Sequence, residues 1–217
     1  MKVRIKKEWF LFVIGLSILT FGGRLLLLAN IGTGGIDAFV MGLFKLLGGT
    51  LGLWIDIVSV ILVLIGTFLR KSKIGWKAIV TSLFLGLLYD VWGIILFNRL
   101  QVPKKEFVQG MVFLAGILIA PLGSAIYIHS NLSTSCVDYL MLSIKERFHL
   151  SMGVSRGLIE AGFVIGACIV KGPIGVGTIM IMLLFGVFLQ CYYKMIGAIL
   201  KKSRLYMHKI RNKRKTN

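Results

Sequence analysis

The chain has 217 residues, of which 57% are hydrophobic and only 16% charged, and its mean hydropathy is +0.87. Several runs of about 18 or more mostly apolar residues mark membrane-spanning helices, which excludes a water-soluble domain. The net charge of +18 does not argue for nucleic acid, because much of the excess sits in residues 1–7 and 201–217, beside the first and last apolar runs. Lys and Arg there hold both chain ends on the cytoplasmic side and attract anionic lipid headgroups.

In chain order, residues 1–8 are a basic cytoplasmic start and residues 9–29 the first span, which carries Gly22, Gly23 and the charged Arg24. A basic segment before an apolar run resembles a signal peptide, but the run continues to about Ala29 and more spans follow, so it reads as an uncleaved helix. Asn30-Ile-Gly-Thr-Gly-Gly-Ile-Asp37 comes next, rich in turn-forming and helix-starting residues. A short helix over 36–47 ends at Gly48 and Gly49. Residues 51–69 form a long span bearing Trp54 and Asp56, the basic loop 70–73 follows, and a span over about 76–97 carries Asp90 and Trp92. Residues 99–109 link this half to the next.

The second half repeats the order: a span over 111–129 with Pro121 inside it, a short segment 137–148, a span over 150–170 with Arg156 and Glu160, and a last span over 174–200. The repetition extends to residues. Asn131-Leu-Ser-Thr-Ser-Cys-Val-Asp138 keeps the Asn, Thr and Asp of the first stretch at an offset of 101, which also pairs Gly15 with Gly116 and Gly22 with Gly123. The offset becomes 100 further on, pairing Gly75 with Gly175 and Gly86 with Gly186. Self-similarity of this extent predicts two homologous membrane repeats, 9–98 and 110–200, before a basic cytoplasmic tail, 201–217.

The fold class expected is an all-α polytopic bundle of six long spans plus two short helices that are re-entrant or short-spanning. An eleven-residue run covers about 17 Å of helix axis against about 30 Å of hydrocarbon. If the short helices do not cross, each half has three spans and the halves are inverted; if they cross, each has four and the repeats are parallel. Counting Lys and Arg does not separate these, because 19 lie inside and 5 outside under either scheme once Arg24 and Arg156 are left within spans.

Five of the eight acids lie in or beside apolar segments, Asp37, Asp56, Asp90, Asp138 and Glu160, together with Arg24 and Arg156. A charge at bilayer depth costs about 2.5–3.5 kcal/mol, so such groups pair within the bundle or face a cavity. These seven define a candidate intramembrane charge network. Asn30, Thr33 and Asp37 with Asn131, Thr134 and Asp138 define a candidate substrate site at the two short-helix starts. There the threonines read as N-caps and the aspartates either serve the helix dipole or face a shared cavity. Arg156 and Glu160 share a helix face, flanked by the small residues Gly153, Gly157 and Ala161. The three cysteines have no CxxC spacing, so neither a disulfide framework, a zinc site nor any other metal or cofactor is expected. No enzymatic motif is present, and no oligomeric state follows.

The stretch Leu-Leu-Ala-Asn-Ile-Gly-Thr-Gly-Gly-Ile-Asp-Ala over 27–38, with Gly-Thr-Leu-Gly-Leu-Trp over 49–54, resembles the YczE/YyaS/YitT family of bacterial integral membrane proteins. In that family a glycine-rich segment ends in an aromatic–Asp pair; here Ile36 stands at the aromatic position. The resemblance implies a bacterial plasma-membrane location. The function expected is a small-molecule or ion transporter or permease, with a non-transporting scaffold or regulatory subunit as the alternative. Its partners are the lipid bilayer, anionic headgroups at the termini and a small-molecule or ion substrate.

Overall fold

A computed structural model of the chain describes residues 2–49, 51–71, 75–92, 94–95 and 105–213, with side chains in these except at 2–7, 51–52, 90 and 202–213. The extended elements among them are eight α-helices: α1 (Lys2–Ala29), α2 (Gly35–Leu47), α3 (Leu51–Arg70), α4 (Trp76–Trp92), α5 (Glu106–Ile128), α6 (Cys136–Phe148), α7 (Met152–Ile169) and α8 (Val176–Lys213). Five of them, α1, α3, α5, α7 and α8, contain stretches long and apolar enough to cross a bilayer. The expected span over 76–97 is a shorter helix of 17 residues, about 25 Å of axis, and residues 96–104 lie outside the described set. At the other end, α8 carries the expected tail on as helix to Lys213.

The centre is the crossing of α1 with α5. Glycine makes it possible: a Cβ added to Gly15 would meet the Tyr127 nitrogen at 2.5 Å, and one on Gly116 would meet the Leu26 side chain at 2.9 Å. Gly22 lies against the Ala120 backbone and Gly123 against that of Leu19. Low residues of α1 thus meet high residues of α5, so the two helices are antiparallel. Leu16, Thr20, Ile117, Ala120 and Tyr127 are buried along this seam.

Each short helix runs beside the later half of a long one. Gly35 abuts Glu160, Phe39 packs on Gly166, and Gly42 abuts Val170 and Gly172, so α2 ascends parallel to the second half of α7. Likewise the Tyr139 ring covers Gly66, and Arg70 pairs with Glu146 at 2.9 Å, so α6 runs parallel to the end of α3. Large apolar side chains such as Phe68, Phe107, Trp76 and Ile169 remain exposed on the outside, a surface that only lipid or a partner covers.

Asn30 and Asn131, which close α1 and α5, have φ of 53° and 57°. Asparagine tolerates this left-handed conformation better than most residues, so its recurrence has a backbone cause.

Candidate functional site

Residues of α2, α4, α5, α6, α7 and α8 meet where the short helices begin. The first turn of α2 needs acceptors for its free N–H groups, and its N-cap, Gly34, offers no side chain. The acceptor comes from far away in sequence: Gly35 N–H donates to Glu160 Oε2 at 3.0 Å. Glu160 is the ninth of eighteen residues in α7, so the negative charge lies at the positive end of α2 near the middle of a long helix. Absence of a Cβ at Gly35 permits this, since one would meet the Glu160 carbonyl at 2.7 Å.

The second short helix is capped locally. Ser135 is its N-cap and accepts from Asp138 N–H at 3.2 Å, while the Ser135 hydroxyl donates to Asp138 Oδ2 at 3.0 Å. The Tyr127 hydroxyl of α5 donates to the same carboxylate oxygen, and Ser135 N–H donates to the Tyr127 oxygen at 3.3 Å. Cys136 N–H donates to the Ser82 hydroxyl of α4 at 2.9 Å. The caps are therefore Gly34 and Ser135, one residue later than the expected threonines. The Thr33 hydroxyl is buried with no hydrogen-bond partner among the described residues.

Arg156 joins the two starts. Its Nη1 donates to Asp138 Oδ1 at 3.0 Å, and its Nε and Nη2 donate to Glu160 Oε1 at 3.2 and 3.0 Å. The guanidinium lies 4.5 Å over the Phe185 ring, a contact between a cation and an aromatic face. Asp138 and Glu160 are 1% and 2% exposed, so both carboxylates depend on these donors. One arginine therefore holds a carboxylate from the start of α6 and the carboxylate that caps α2.

The other expected residues fall at graded distances from this junction. Asp37, in the first turn of α2, is exposed and within electrostatic reach of Glu160 and Arg156. Arg24 donates through Nε to the Tyr89 carbonyl at 2.7 Å and lies 5.9 Å over its ring. Tyr89 is in turn within electrostatic reach of Asp37 and Arg156. Asp56 is exposed on α3 and acts on Cys136 at the start of α6. Asp90 belongs to α4, but its side chain lies outside the described residues. Asn30 and Asn131 are exposed, and Thr134 is half-buried in the lead-in to α6. Tyr127, Ser135 and Tyr89 were not among the residues expected from sequence. Residue type could have found Ser135, since serine caps helices as well as threonine does, whereas a tyrosine near a helix end reads as core or interface.

A family of unknown function, DUF6198, matches residues 6–194. An uncharacterised protein, YyaS, of Bacillus subtilis (strain 168) is 30% identical over 189 residues, covering 87% of this chain and 94% of its own. The uncharacterised membrane protein YczE of the same organism is 29% identical over 195 residues, covering 88% and 87%. An uncharacterised protein of Haemophilus influenzae is 26% identical over 194 residues, covering 87% and 84%. No solved structure matches the chain.

Proposed function

We propose that this chain, which belongs to the DUF6198 family and with it to the YczE/YyaS group of membrane proteins, is a small transporter or permease of the bacterial plasma membrane. It moves its ligand rather than transforming it. The observation that carries the reading is the Arg156 junction, in which Asp138 at the start of α6 and Glu160 at the start of α2 share one guanidinium.

Two inverted repeats support it. The α1–α5 contacts come in pairs related by the 101-residue offset: Gly22 with Ala120 matches Gly123 with Leu19, and Gly15 with Tyr127 matches Gly116 with Leu26. A two-fold axis across the membrane, between antiparallel equivalent helices, generates such pairs. In parallel repeats the equivalent helices would run in the same direction. A first turn of α2 beside the middle of α7, rising beside its second half, is what a re-entrant helix of about 20 Å would give. Six spans and two half-helices then leave both termini on the cytoplasmic side. The substrate site lies at the junction, with Asp37 exposed beside it and Glu160 as the group suited to carry a proton. The complete pairing of Arg156 favours one other reading, a scaffold whose charges only hold the bundle together.

The test compares wild-type protein with Arg156→Gln and Asp37→Asn in proteoliposomes on a solid-supported membrane, under imposed proton, cation and anion gradients. Transport predicts a current in wild type, and its loss in Asp37→Asn protein that remains folded. Wild-type protein silent under every gradient, with variants altered only in folded yield, leaves the scaffold.

A further inference from the structure

At the end of the bundle where α3 stops and α6 finishes, a cavity of about 380 Å³ opens between the α6 lead-in and the start of α4. Arg70, Lys77 and Lys145 line it with a single carboxylate, Glu146, which is already bound by Arg70 Nη2 at 2.9 Å. Lys77 and Lys145 have no ion pair among the described residues. Arg70 is held over the Tyr139 ring at 4.9 Å, and its Nε is buried with no hydrogen-bond partner among the described residues. Ser133 and Thr134 add hydroxyls to the wall. A concave site with surplus positive charge suits an oxyanion.

At the matching place on the opposite end of the bundle the chain packs closely. There Gly32 packs on Thr178, and Gly177 N–H donates to the Ile31 carbonyl at 3.2 Å. Ser133 and Lys77 stand at the offsets that Gly32 and Gly177 occupy. Here side chains stand in place of two glycines, and Lys77 adds positive charge to the wall.

We propose that this cavity binds a phosphate-type anion, either a soluble phosphate or the headgroup of an anionic phospholipid. The site stands whether or not the chain transports.

The full chain in neutral detergent is titrated with inorganic phosphate, against chloride at matched ionic strength, while thermal unfolding is followed. In parallel it is placed in phosphatidylcholine nanodiscs with and without phosphatidylglycerol. A saturable rise in melting temperature with phosphate identifies a soluble anion. A rise with phosphatidylglycerol alone identifies the headgroup. In either case Lys77→Gln and Lys145→Gln, read separately and both folded without ligand, weaken the response about ten-fold each. Lys45→Gln, away from the cavity, leaves it unchanged. If one lysine variant fails to fold, the other decides. No response in either medium, or a response unchanged in the folded lysine variants, overturns the site.

Discussion

Arg156 carries one positive charge and satisfies two buried carboxylates, so its removal strands both. Arg156→Gln is expected to cost about 3–5 kcal/mol, the usual effect of breaking a buried ion pair from one side, read as a fall in melting temperature in detergent. Glu160→Gln is milder, about 1–3 kcal/mol, because the amide oxygen still accepts from Gly35 N–H while its attraction for Arg156 is lost. The order of the two melting temperatures is the check: if Glu160→Gln falls as far as Arg156→Gln, the arginine is not the shared partner. The charged members of this junction were legible in the sequence because a charge inside an apolar run demands an explanation. So was the Arg156–Glu160 pair, four residues apart on one helix, but their partners on other helices were not. Gly35 and Glu160 are 125 positions apart, and no local pattern joins a backbone N–H to so distant a carboxylate. The repeated asparagines carry a second signal, since their left-handed turns at helix ends leave the same mark in sequence as a ligand site.

At the scale of helices, the α1–α5 crossing rests on backbone contacts that leave no room for side chains. Gly22→Leu and Gly123→Leu are each expected to destabilise by about 1–3 kcal/mol or more, because the helices must separate to admit the new atoms. Gly110→Leu on α5, with open space around its Cβ position, is the matched control and should leave the melting temperature near wild type. An equal loss in all three would mean that the cost comes from a large side chain anywhere on these helices and not from their close approach. The spacing of these glycines was readable, and so was the brevity of α2 and α6. Helix ends were less so. Thr33-Gly34 and Thr134-Ser135 each offer two neighbouring cap positions, and tertiary contacts from Glu160 and Tyr127 decide between them.

For the whole molecule, the all-helical class and membrane residence follow from composition, while the path of the chain through the bilayer turns on whether α2 and α6 cross. The proposed re-entrant arrangement puts the loop after α3 and the end of α2 on opposite faces. Single cysteines at Lys71 and at Leu47, both exposed positions, in a background lacking Cys136, Cys168 and Cys191, separate the schemes. A membrane-impermeant thiol reagent should label Leu47→Cys on intact cells and Lys71→Cys only in inverted vesicles. Labelling of Lys71→Cys on intact cells would mean that the short helices span. The distribution of Lys and Arg is silent on this point, because each scheme moves equal numbers of them in opposite directions.

The junction also sets how the two parts of the chain depend on each other. Under the proposed duplication, Ser59 stands at the place of Glu160 and Ile55 at that of Arg156. Two copies of α5–α8 would bring two arginines and two glutamates to one seam, and two copies of α1–α4 would bring neither. The acid that caps α2 and the base that binds Asp138 both come from α7, so the first part of the chain relies on the second for a charge it does not carry itself.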